Sequence, residues 1–166
     1  MNLMSPPDLA RAAAIGAGAT LVLDAWVLLL RRLGVPTMNF GLLGRWVAHG
    51  LRGRWSHDSI ARAAPVTHEA AFGWIAHYAT GIAFAAVFVA AIGPAWLQAP
   101  ALLPAVAFGL LTVSAPFLVM QPAMGLGIAA SKTPAPRQNR LRSLANHAVF
   151  GFGLYVAAAF IDRISR

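Results

Sequence analysis

Long apolar stretches alternate with polar loops along this chain. Four such stretches cover about residues 9–30, 70–92, 102–130 and 144–161. A helix needs about 20 mostly apolar residues to cross the hydrocarbon core of a bilayer, and each stretch is close to or above that length. The pattern therefore predicts an all-α polytopic membrane protein, a four-helix transmembrane bundle that forms a single domain over residues 1–166.

The third stretch is interrupted near its end. Pro116 and Pro122 lie inside it, and Gly125 and Gly127 follow. An interior proline lacks a backbone N–H and clashes with the carbonyl four residues earlier, so we predict a kink between residues 116 and 127. Two interpretations stay open. The segment is either a bent helix packed by its neighbours, or a discontinuous helix whose freed carbonyls line a binding site.

The first loop, residues 33–67, carries a helical pattern of its own. Apolar residues recur there at helical spacing: Phe40, Leu43, Val47 and Leu51. They predict a short interfacial helix over about residues 39–51, on the inner leaflet, with an irregular solvated loop as the alternative. Three arginines would then lie near lipid phosphates: Arg45, Arg52 and Arg54.

Histidines and one carboxylate also lie in or beside this loop: His49, His57, Asp58 and His68. They lack a recognised metal-ligand spacing. We expect them to be solvated loop residues.

Composition makes the bilayer the expected environment. The chain is 58% hydrophobic and 11% charged, whereas a soluble domain carries about a quarter charged residues. It has no cysteine, which excludes disulfides, thiolate metal sites, cysteine nucleophiles and iron–sulfur clusters. The net charge of +8 could suggest nucleic acid, but its location beside apolar stretches favours membrane topology, and we expect no nucleic-acid partner.

The basic residues predict an orientation. They concentrate in the first loop with the end of the first stretch, and in the third loop around residues 132–142, whereas the second loop around residues 94–100 has no charge. The positive-inside rule then places loops one and three in the cytoplasm. We expect a multi-pass protein of the bacterial inner membrane with both termini in the periplasm and the first stretch retained as an anchor.

One strongly polar side chain lies in each apolar stretch: Asp24, His77, Gln121 and His147. With the predicted orientation, these four fall within about one or two helical turns of the same depth, nearer the cytoplasmic side. Ionisable groups at such depth usually face the bundle interior and indicate a functional site. Four neighbours could support the layer: Thr20, Met120, Pro122 and Met124.

Three functions fit this layer. The leading hypothesis is a small transport-type or proton-coupled bundle, in which Asp24, His77 and His147 titrate and Gln121 lines the site. Four helices leave little room for alternating access, so a transport role would need a homodimer. The second is binding of haem or copper by His77 and His147. The third is a scaffold or partner subunit whose polar groups only hold helix register. No hydrolase, nucleotide-binding or metalloprotease motif is present, which favours a role without catalytic residues.

Several stretches resemble one family. They include GAGATLVLDAW at 16–26, GVPTMNFGLLGRWVAHGLRGR at 34–54 and, most specifically, MQPAMGLGIAASKTP at 120–134. Together they resemble the bacterial inner-membrane proteins grouped as domain of unknown function 2938. The resemblance implies a small polytopic membrane protein and brings no assigned reaction, substrate or catalytic residue.

Overall fold

The computed structural model describes residues 4–165, which contain helices and turns and no β-strand. The helices are α1 (Pro6–Arg32), α2 (Phe40–Gly50), α3 (Glu69–Ile92), α4 (Leu102–Leu111), α5 (Gln121–Ala123) and α6 (Pro136–Ile164). Four segments are long and apolar enough to cross a membrane: Pro6–Arg32, Glu69–Ile92, Leu102–Ala123 and Pro136–Ile164. The predicted all-α fold with four spanning helices is confirmed.

Two spans begin before their apolar patterns do. At the start of α1, the Ser5 hydroxyl accepts the Asp8 N–H and the Asp8 carboxylate accepts the Ser5 N–H, so each residue caps the other. Pro6 occupies the first helical turn, where a missing N–H costs nothing. In the same way, α6 begins at Pro136 rather than near residue 144. Hydropathy shows only where the apolar part of a helix begins. The helix itself begins earlier, at a residue set by capping and by proline.

The third span is interrupted where its prolines predict. Between α4 and α5, residues Pro116–Met120 form a π-helical turn, in which the Gln121 N–H donates to the Pro116 carbonyl. The Thr112 carbonyl, which Pro116 cannot engage, accepts the Ala115 N–H at 3.1 Å. Pro116 therefore leaves no free carbonyl at Thr112.

After α5 the chain leaves the helix earlier than predicted. Gly125 and Gly127 take φ values of 85° and 74°, a left-handed region that favours glycine. The spanning helix consequently ends at Ala123 and not near residue 130. Ala129 and Ala130 beyond it also have positive φ, 47° and 59°, a conformation that costs a residue with a Cβ about 1–3 kcal/mol.

The chain divides into two compact units. Unit 1 holds the described residues within Met1–Pro36, Tyr78–Leu111 and Ala145–Arg166, and unit 2 holds Thr37–His77 and Thr112–Leu144. Loop two lies in unit 1, and loop three and residues 37–67 of loop one lie in unit 2.

Unit 1 is built on close helix approaches at small residues. A Cβ at Gly16 would lie 2.6 Å from the Ile82 Cα, and one at Gly109 would lie 2.6 Å from the Gly151 Cα. Such approaches bring whole backbones into van der Waals contact, which is how spanning helices associate without a hydrophobic drive between them. The unit's core also buries larger side chains, among them Ile15 and Leu154 at 1% and 0% exposure.

In unit 2, α2 packs on the first turns of α3. Gly44 and Gly73 face each other so closely that a Cβ on Gly44 would overlap the Glu69 carbonyl, and one on Gly73 would overlap the Phe40 carbonyl. Loop one thus contains the predicted helix. Phe40 and Leu43, two of the apolar residues that predicted this helix, are each only 8% exposed.

We predict that Gly73→Ala destabilises the protein. Alanine gains about 1 kcal/mol of helix propensity over glycine. That gain is outweighed because the added methyl would overlap backbone rather than a movable side chain, and overpacking costs about 1–3 kcal/mol or more. Thermal unfolding in detergent, followed by circular dichroism, should give a lower midpoint for Gly73→Ala than for wild type. Ala71→Val enlarges an exposed residue of the same helix and serves as control; equal midpoints for the two variants would contradict the packing.

Candidate functional site

Asp24 is paired with a residue on another span. The Tyr78 hydroxyl, on α3, donates to the Asp24 carboxylate at 2.8 Å. Both side chains are half-buried in unit 1. One helical turn earlier on α1, the supporting residue Thr20 is 1% exposed, donates to the Gly16 carbonyl at 2.8 Å and packs directly on Gly81. The face of α1 that carries Gly16, Thr20 and Asp24 therefore meets α3.

His147 lies in the same unit, on α6. Its imidazole forms a hydrogen bond with the backbone of Gly109 in α4. One residue earlier, the Asn146 side chain accepts the Trp26 indole N–H at 3.1 Å. His147 is half-buried. Unit 1 therefore holds two separate polar contacts of α6 with other spans.

His77 belongs to unit 2, at the end of that unit's part of α3. Its ring centroid lies 4.6 Å from that of Phe40 and 5.8 Å from that of Trp74. The imidazole is thus packed among aromatic rings, where α2 meets α3.

Gln121 also lies in unit 2. It is 7% exposed, and its Oε1 has no hydrogen-bond partner among residues 4–165. A buried acceptor without a partner is costly, by about 1–3 kcal/mol. Of its predicted supports, Met124 is 4% exposed, whereas Met120 and Pro122 are half-buried.

The four predicted members therefore divide between the units. Asp24 and His147 lie in unit 1, and His77 and Gln121 lie in unit 2. A single layer of four at one depth stays a prediction.

Unit 2 contains a polar cluster that the sequence did not predict. Arg45 is 9% exposed and donates to both oxygens of Glu69, at 2.8 and 2.9 Å. Its remaining nitrogen reaches three carbonyls of loop one, those of Ile60, Ala61 and Ala63. The Glu69 carboxylate raises the pKa of Arg45 above its ordinary value, so the guanidinium stays charged.

Arg45 is consequently not available to a lipid headgroup, which corrects its predicted role. The guanidinium is buried and its donors are directed at protein oxygens. Arg52 and Arg54 are exposed, and their role at lipid headgroups stays a prediction.

The loop histidines are a second correction. His49 and His57 are 8% and 6% exposed, and their rings are joined by a 2.8 Å hydrogen bond. They are not the solvated residues that the sequence predicted, whereas Asp58 and His68 are exposed.

The sequence contains a signal for one of these partners, Tyr78. Tyr78 precedes Gly81 by three residues and Ala85 by seven, so helical spacing places it on the face that meets α1. No spacing rule joins Arg45 to Glu69 or His49 to His57, because a loop of irregular conformation separates the members of each pair.

Residues 4–165 contain no group of three or more His, Asp or Glu side chains that could hold a metal ion. His77 and His147, the predicted haem or copper ligands, lie in different units.

We predict that Arg45→Met loosens loop one. The substitution leaves the Glu69 carboxylate and the loop carbonyls without their donor, at about 1–3 kcal/mol for each group left buried. Hydrogen exchange should show faster exchange over residues 60–69 in this variant. Arg62→Met removes an exposed arginine of the same loop and should leave exchange unchanged; a similar response to both would contradict the anchoring role.

Comparison with known proteins identifies a family for this chain. No curated protein and no solved structure matches this chain. The family described as protein of unknown function (DUF2938) matches residues 13–161. Because that match covers nearly all of a chain with four potential membrane spans, the protein belongs to the DUF2938 family, as its sequence motifs indicated.

Proposed function

We propose that this multi-pass membrane protein is a small proton-coupled, transport-type protein in which Asp24 carries the proton. The observation behind this is the contact between Asp24 and Tyr78, whose oxygen atoms lie 2.8 Å apart. Both residues belong to segments apolar enough to span a membrane.

A carboxylate within a span is expensive to keep charged. The Tyr78 hydroxyl donates to this carboxylate. A phenolic hydroxyl can donate to a carboxylate and can also accept from a carboxylic acid. Tyr78 can therefore stay hydrogen-bonded to Asp24 whether Asp24 holds a proton or not, which suits the proton-carrying role.

The other predicted members have supporting roles in this proposal. His147 would provide a second titrating group in unit 1, and His77 and Gln121 would line a path through unit 2. A homodimer would supply the room that alternating access requires.

The orientation is part of the proposal: loops one and three face the cytoplasm of a bacterial cell, and loop two and the termini face the periplasm. Loop three and residues 37–67 of loop one share unit 2, whereas the Arg11 guanidinium in the first turns of α1 donates to the Leu97 carbonyl of loop two at 3.1 Å. The basic residues of loops one and three then obey the positive-inside rule.

We predict that Asp24→Asn abolishes proton flux. Purified protein is reconstituted in liposomes that enclose a pH-sensitive dye, and a potassium diffusion potential imposed with valinomycin drives proton entry. Wild type should acidify the interior faster than empty liposomes, and Asp24→Asn should match empty liposomes because an amide does not titrate. Tyr78→Phe should be intermediate.

The matched control is Asp58→Asn, which removes an exposed carboxylate of loop one and should keep the wild-type rate. Flux that survives Asp24→Asn, or wild-type liposomes that behave like empty ones, would refute the proton-carrying role.

We also predict the labelling pattern of single cysteines. The natural chain has no cysteine, so labelling by a membrane-impermeant maleimide has no background. In intact spheroplasts, Gln98→Cys in loop two should react, and Ser56→Cys in loop one should react only after the cells are broken. Both positions are exposed. The reverse pattern would invert the orientation, and labelling of both would deny that the two loops lie on opposite sides.

A further inference from the structure

The buried histidine pair of loop one is a titratable group that the proposed function does not use. His49 lies in the last turn of α2, and its Nδ1 is 2.8 Å from the Nε2 of His57. The other nitrogen of His49, Nε2, lies 3.1 Å from the Ala64 carbonyl. Both nitrogens of His49 are therefore engaged within loop one.

These contacts determine where the protons lie. A carbonyl only accepts, so the Nε2 of His49 carries a proton and donates to Ala64. In the neutral pair, Nδ1 of His49 then accepts the Nε2 proton of His57. The remaining nitrogen, His57 Nδ1, is a bare acceptor that is buried and has no hydrogen-bond partner among residues 4–165.

Protonation of both rings disturbs this arrangement. A first proton can bind His57 Nδ1, beside the Ala123 carbonyl, and it leaves the bond between the two rings in place. A second proton would turn two N–H groups toward each other. The docked geometry therefore accommodates at most one proton beyond the neutral pair.

The same residues attach loop one to the end of the third span. The His57 backbone N–H donates to the Ala123 carbonyl at 2.8 Å, and the Ile60 N–H donates to the Met124 carbonyl at 3.0 Å. Gly125 allows this approach, because a Cβ there would overlap the carbonyl of Asp58. Loop one is thereby held where α5 ends, two residues after the buried Gln121.

Among residues 4–165, no free negative charge near the histidine pair compensates the positive charge that an added proton brings. Arg54 lies on the same loop and acts on His57 with the same sign. Glu69 of α3 acts on His49, but Arg45 of α2 already binds that carboxylate. Asp58, adjacent in the loop, has its side chain exposed. Residues 112–130 of the facing segment contain no ionisable side chain.

We propose that His49 and His57 form a proton-operated latch, which holds loop one on the end of the third span at neutral pH and releases it on acidification. Protons are the ligand of this site. The latch is independent of the Asp24 proposal, since it needs no flux through the protein.

The direction of the pH dependence follows from the titration of His57. Burial lowers the pKa of His57, the charges of Arg54 and His49 act in the same direction, and the nearby Ala123 carbonyl opposes them with the smallest effect. The docked state thus binds fewer protons than the released state between the lowered pKa and the ordinary value of 6.5. Docking is fully stable above pH 6.5 and weakens as the pH falls through that window.

Hydrogen exchange of the full chain in nanodiscs tests the latch. The reporters are the amides of His57 and Ile60, which are protected only while loop one is docked. Protection factors, corrected for the intrinsic pH dependence of exchange, should be high at pH 7.5. They should fall as the pH drops below 6.5, with a slope of at most about tenfold per pH unit for each proton linked to release.

Two variants and one control test whether the histidine pair causes the pH dependence of protection. His57→Gln and His49→Gln each replace a titrating ring by an amide that can still hydrogen-bond, so the variant that docks at pH 7.5 should stay protected at pH 5. His68→Asn removes an exposed imidazole and should keep the wild-type response. Protection in wild type that does not change with pH overturns the latch, and so does a pH response that persists in a docked glutamine variant.

Discussion

Hydrocarbon offers no hydrogen bonds, so a polar group that a spanning segment carries is costly unless it finds a partner inside the protein. The helices meet this requirement for most of the backbone. Where Pro116 interrupts the ladder, a wider π-helical turn forms and the Thr112 carbonyl takes the Ala115 N–H. Asp24 meets the same requirement with the Tyr78 hydroxyl. The requirement therefore determines both how the third span is built and which side chains pair between spans.

Loop one follows the same rule although it lies outside the spans. Arg45 binds Glu69 and three loop carbonyls, and one hydrogen bond joins the buried rings of His49 and His57. The two contacts differ in how they respond to protons. Arginine stays charged at any physiological pH, whereas an imidazole pair changes state near neutrality. A loop held by both has one permanent anchor and one conditional one.

Much of the fold could be predicted because its signals are local. Apolar length identified four spans, helical spacing identified α2, and the prolines located the interruption of the third span. The start of α6 and the early end at Ala123 were missed. The first turns of α6 after Pro136 are polar, so the apolar pattern does not include them. Gly125 ends the third span through its left-handed backbone, which the hydropathy of the segment does not show. Helix ends therefore depend on backbone geometry that an apolar pattern does not record.

The sequence by itself determined the class of protein, its family and the residues that are costly to place in a membrane, Asp24 among them. Those conclusions follow from amino-acid composition and from the spacing of apolar residues, which can be read along the chain without knowing which segments are in contact. Only the tertiary structure decided the partners: Tyr78 for Asp24, Glu69 for Arg45, and His57 for His49. Each partner is brought in by a different helix or by the fold of loop one. Such proximity depends on how closely two backbones approach at glycines. This is a property of two segments together, and the sequence of one segment does not show it.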